Sequence, residues 1–140
     1  MEQPLQLLMG DANVDLNSTG DKQSFPVPCP MKISAIGLVI CNSDTGDATI
    51  KFDRRVTAGS DTNRVSAGLG TLLKPASSNI GKVLYEKLDS STDLILNAGD
   101  EIVINVTAEN VSANAFVRPF IEYFRLSENK VNESSALASL

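Results

Sequence analysis

Apolar and polar residues alternate with a period of two along most of this chain, and turn chemistry separates the runs at roughly ten-residue intervals, the spacing of a small all-β domain. Over residues 101–108, Ile102, Ile104, Val106 and Ala108 fall on one side, while Glu101, Val103, Asn105 and Thr107 fall on the other, which predicts a half-buried strand. Residues 115–126 differ. Val117, Ile121 and Tyr123 share one face; Phe116, Phe120, Phe124 and Leu126 share the other, interrupted only by Arg118 and Glu122. A strand apolar on both sides cannot end at a solvated sheet surface. It needs a second partner: a facing sheet plus a packed arm, or a neighbouring subunit.

Residues 33–41 read as a buried strand, with Ile33, Ala35, Val39 and Cys41 on one side and Ile36, Leu38 and Ile40 on the other. The turn signal at 42–47 and the alternation of Ala48, Ile50 and Phe52 predict a hairpin between this strand and the next. Shorter strands are expected at 83–88 and 94–96. Prolines at 26, 28 and 30 remove every second ladder donor, so 25–30 is expected at a sheet edge or as a polyproline-like segment. No stretch predicts a helix of convincing length. Residues 1–21 read as an arm or one edge strand, 22–126 as the sandwich domain, and 127–140 as a polar tail. From 54 to 81 the alternation dissolves into small polar residues around Leu69, Leu72 and Leu73, a long loop expected to cross one end of the sandwich and touch a partner.

Composition fits one modest domain. The net charge of −5 argues against nucleic acid or an anionic membrane as the main partner. Charge is unevenly placed, however. Residues 51–74 carry five basic side chains (Lys51, Arg54, Arg55, Arg64 and Lys74) against Asp53 and Asp61, a local +3, and the rest of the chain sums to −8. No stretch approaches the eighteen or so apolar residues of a membrane span. The start lacks a basic region followed by a long apolar run, so the expectation is synthesis in the cytosol without export.

Candidate chemistry is mostly absent. Without histidine there is no Ser-His-Asp or Cys-His arrangement and no histidine-ligated metal. Cys29 and Cys41, with no further cysteine, cannot make the usual tetrahedral zinc site. Buried thiols are the expectation, and a bridge between them stays open. Ser127 and Lys130 match the spacing of Ser-Lys acyl enzymes but sit in a polar tail. Gly68-Leu69-Gly70 lacks the third glycine, strand and helix of a phosphate loop. Asp11, Asn13, Asp15 and Asn17 alternate like calcium ligands, yet Leu16 and Lys22 stand where a calcium loop of the EF-hand type needs glycine and glutamate, so turn hydrogen bonding is the plainer use. Asp100 and Glu101 are adjacent on a strand and point to opposite faces, so they cannot flank one bond. Four N-x-S/T matches, at Asn17, Asn105, Asn110 and Asn132, read as chance without an export signal. No catalytic residue, metal or cofactor is expected.

The segment GKVLYEKLDSSTDLILNAGDEIVINVTAENVSANAFVRPFIEYF, preceded by ISAIGLVICNSDTGDATIKFDR, resembles the small β-sandwich decoration or cement proteins of tailed-bacteriophage heads. The likeness lies in a strand-loop-strand pair before an AGD turn, a β-branched strand, a small-residue turn and an aromatic-rich closing strand, over about residues 30–126. The proline-alternating segment and the long 54–81 loop depart from it. The resemblance implies a single antiparallel, jelly-roll-like β-sandwich with extended arms, forming trimers on the capsid exterior and tying neighbouring major capsid proteins together. The protein would then reside on the virion, and in the host cytoplasm during assembly. On this reading Phe116, Arg118, Phe120, Glu122 and Phe124 make the subunit contact, and Arg54, Arg55, Arg64 and Lys74 meet acidic capsid surfaces. A carbohydrate-binding module or fibre head domain shares the architecture. Sugar platforms need exposed aromatics, though, and this chain has two tyrosines and no tryptophan.

Overall fold

The computed structural model describes residues 5–10, 13–42, 46–58, 61–64, 68–76, 79–88, 94–111 and 115–126. They form eleven strands: β1 (Leu5–Met9), β2 (Val14–Asp15), β3 (Gly20–Pro26), β4 (Met31–Asn42), β5 (Ala48–Ala58), β6 (Asp61–Arg64), β7 (Gly70–Lys74), β8 (Val83–Lys87), β9 (Ile95–Leu96), β10 (Glu101–Glu109) and β11 (Phe116–Arg125). One sheet runs β1-β11-β4-β8, with β2 also on β11 and β9 on β4; the other runs β3-β10-β5-β6, with β7 also on β5.

This order is a long hairpin rolled into two layers. The early strands pair antiparallel with the late ones, β1 with β11, β3 with β10, β4 with β8 and β5 with β7. Successive pairs fall in alternate sheets, which is jelly-roll topology. Between the layers lies an apolar core that includes Met31, Ile33, Ile36, Leu38 and Ile40 from β4, Ile50 and Phe52 from β5, Ile102, Ile104 and Val106 from β10, and Val117, Ile121 and Tyr123 from β11.

Three expectations need correction. First, residues 33–41 and 48–52 do not form a hairpin: β4 pairs with β11, β8 and β9, and β5 with β10, β6 and β7. Their connection crosses from one sheet to the other and is pinned at its far end. Asn110 N donates to Asp47 O at 2.9 Å and Asn110 Nδ2 to Asp47 Oδ1 at 2.7 Å. Gly46 packs so closely on that strand end that a Cβ would lie 2.1 Å from Asn110 O. Second, the 54–81 stretch holds the end of β5 and all of β6 and β7, so it extends the second sheet. The side chains of Leu69 and Leu72 are buried there, while Leu73 is exposed. Third, Ile33 belongs with Ile36 in the core. Tyr123 pairs with Ile33 and Glu122 with Ala35, so Ser34 is an extra residue, and that bulge reverses the facing of β4 midway.

The remaining elements lie as their chemistry requires. β3 is an edge strand ending at Pro26. In the 97–100 turn, Asp100 N donates to Asn97 O at 3.1 Å, Asp100 Oδ2 accepts from Asn97 N at 3.0 Å, and Gly99 takes a φ of 95° that only glycine adopts freely. β1 and β2 run along β11 as one interrupted strand. The break falls opposite Pro119, which has no N–H to donate, and Gly10 N bridges the gap by donating to Pro119 O at 2.8 Å.

Candidate functional site

Side chains directly opposite each other in antiparallel strands project from the same side of a sheet. The register therefore lays out the outer face of the first sheet in rows. Leu5, Phe124, Lys32 and Ile95 form one; Leu7, Glu122, Ala35 and Lys87 the next; Met9, Phe120, Gly37 and Tyr85 the third; and Arg118, Val39 and Val83 a fourth. Seven of the nine exposed large hydrophobic side chains among the described residues stand on this one face: Leu5, Leu7, Met9, Val83, Tyr85, Ile95 and Phe124. Exposed apolar side chains concentrated on one face mark a surface that binds something.

The five side chains expected at a subunit contact all come from this face, but they differ in exposure. Phe124 is 37% exposed and Phe120 only 6%. Phe116, Arg118 and Glu122 are half-buried. Phe120 is covered by its own chain, because its ring lies over Gly37. Arg118 Nε donates to Gly10 O at 3.1 Å, and Tyr85 Oη donates to Glu122 Oε2 at 2.6 Å. That hydrogen bond, with burial and the carboxylate's charge behind it, raises the Tyr85 phenol above its ordinary value. Tyr123, facing inward, is also raised, chiefly by burial, with Arg125 pulling the other way.

The outer face of the second sheet has the opposite character. Arg55 Nη1 donates to Glu101 Oε2 at 3.0 Å and Arg55 Nη2 lies 3.9 Å from Asp21. Asn105 Nδ2 donates to Asp21 Oδ1, and Lys51 pairs with Asp53 at 3.3 Å.

The basic residues expected to meet a capsid are not brought together. Arg54 and Arg55 are neighbours on one strand and so point to opposite faces; Arg54 Nη1 donates to Ile95 O at 3.2 Å. Arg64 stands opposite Arg55 in the register, and its side chain lies outside the described residues, as do Asp11 and the 127–140 tail. Lys74 is fully buried, its Nζ donating to Gly46 O and Pro75 O, so it reaches no outer surface. Cys29 and Cys41 are both free. Of the alternating Asp/Asn residues, Asp15 accepts from Asn17 N at 2.8 Å, a local turn bond.

Sequence reasoning missed Leu5, Leu7 and Met9 as members of this face, although their period-two spacing was legible. It also missed Val83, Tyr85 and Ile95, whose placement beside β11 depends on the rolled topology.

No protein-family model matches the chain, and no curated protein matches it. Among solved structures, an Eiger TNF from S. frugiperda is similar at 11% identity, covering 91% of this chain and 94% of that one, with a TM-score of 0.40.

Proposed function

We propose that this is a structural protein whose copies associate as a trimer through the outer face of the first sheet. The assembled unit binds the outside of a viral capsid and ties neighbouring major capsid subunits together. The observation that carries the self-association is the concentration of exposed apolar side chains on that face. Covering these side chains, at about 25 cal/mol per Å² of apolar surface, is the favourable term set against the rigid-body freedom lost on association. The capsid partner is supported by the resemblance of the 30–126 segment to phage-head decoration proteins. The charge pairs among the described residues of the second sheet suit a surface that faces water or a polar shell. The role needs no cofactor, nucleic acid or membrane.

Light scattering coupled to size exclusion is expected to give three times the chain mass at micromolar concentration. The protein should also co-sediment with shells of a major capsid protein from the same virus. A monomer at every concentration would overturn the trimer. A trimer that ignores such shells would overturn the capsid role.

A further inference from the structure

Strand β1 is an unusual element to find in a folded domain, because its burial is so slight. Leu5 is 47% exposed, Leu7 58% and Met9 39%, and only Leu8 turns inward to pack against the core. In the lone chain β1 is therefore held by its five-residue ladder to β11, by the bonds of the next residue, Gly10, to Pro119 O and Arg118 Nε, and by one inward side chain. An element held this weakly belongs to the low-stability end of a structure, opening far more often than the core strands.

Resting on the reading of the first sheet's outer face as the contact between copies, we propose that β1 is a principal part of that contact, and that a second copy of this chain is what covers Leu5, Leu7 and Met9. Docking of β1 and self-association are then linked: each strengthens the other, because the copy that covers the strand buries side chains the lone chain leaves in water. Two observations favour a second copy over another occupant. The three side chains continue, row by row, the Phe124, Glu122 and Phe120 positions of β11, so the strand enlarges that contact without a break. The face also mixes both signs of charge, Glu122 among Arg118, Lys32 and Lys87, so the acid of one copy can meet a basic group of the next.

Hydrogen exchange read by mass spectrometry, at concentrations above and below the dissociation midpoint, tests the linkage on the full chain. Amides of residues 5–9 are expected to exchange at least tenfold more slowly in the assembled protein, while those of the β3 edge strand keep their rate. Leu7→Asp is expected to raise the dissociation midpoint at least a hundredfold, and Thr107→Asp, on the outer face of the second sheet, to leave it unchanged. If copies assemble while β1 exchange stays constant and Leu7→Asp assembles like the parent, the role of β1 is wrong and self-association by another surface stands. If no assembly occurs at any concentration, both fall. Should Leu7→Asp fail to fold, Leu7→Asn and the exchange measurement on the unmodified chain decide.

Discussion

The ring of Phe120 occupies the space that a side chain at residue 37 would fill: a Cβ built on Gly37 would lie 2.0 Å from Phe120 Cζ and within 2.5 Å of both Cε atoms. The two residues stand opposite each other on neighbouring strands, so the glycine is filled across the ladder by an aromatic, which costs the sheet less than an empty position would. Gly37→Ala should push the ring outward and destabilise the fold by about 1–3 kcal/mol. Phe120→Ala, which leaves a hollow over bare backbone, should cost about 3 kcal/mol. Urea unfolding midpoints check both. Changes below a few tenths of a kcal/mol would show that the ring rests elsewhere in solution.

That relationship also marks where sequence reading succeeds. Strand existence was legible because burial of one face imposes a period of two, and residues 101–108 and 115–126 follow it. Pairing was not. Ile50 and Ile40 both face the same core, and nothing in their alternation says whether their strands lie side by side in one sheet or across from each other in two. The 42–47 turn signal fits a hairpin equally well; what separates the strands is a long-range set of bonds from Asn110 and Lys74 to that corner. The bulge at Ser34 is likewise invisible in composition, because Ile33 and Ile36 fit opposite faces of a regular strand. Of the candidate face, the phenylalanines of β11 could be found from their excess over what one side of a strand needs. Gly37 was a usable sign of close approach within a strand. The acid partners of Arg55 lie 34 and 46 positions away in sequence, so a local count of basic residues could not see them cancelled.

Lys74 is expected to act on stability. Its buried ammonium donates to the carbonyls of Gly46 and Pro75, tying the end of β7 to the crossover between β4 and β5. Lys74→Met removes the charge while keeping the bulk, and leaves both carbonyls to find other donors. A loss of about 1–3 kcal/mol is expected, from the cost of part-buried acceptors that lose this donor. Chemical denaturation measures it. A neutral or stabilising outcome would mean that water reaches this corner and replaces the amine.

Arg55 should behave differently. Its partners Glu101 and Asp21 are about a third to a half exposed, so solvent and salt screen the pairs. Arg55→Ala is expected to lower stability by less than about 1 kcal/mol, with the difference shrinking further in molar salt. If Arg55 meets a capsid as well, Arg55→Ala should weaken co-sedimentation with shells without altering the mass of the soluble assembly. A loss above 2 kcal/mol in unfolding would show that the network holds the second sheet together.

Alkaline titration isolates the Tyr85–Glu122 bond. The carboxylate accepts the phenol proton's hydrogen bond and disfavours the phenolate, so the pKa in the fold lies above that of the unfolded chain, about 10. The sign follows from linkage: between the two values the folded state holds more protons, so this contribution is complete below pH ~10 and drains away as pH rises through the raised value. The growth of tyrosinate absorbance should accordingly come late for both tyrosines of the chain, with Tyr123 held up by burial instead of by a carboxylate. Glu122→Ala should return the Tyr85 step toward its ordinary position and leave the Tyr123 step in place, and Tyr85→Phe should remove one of the two steps. If Glu122→Ala moves neither, the 2.6 Å bond does not persist in solution, and Tyr85 and Glu122 are not paired at the centre of the first sheet's outer face.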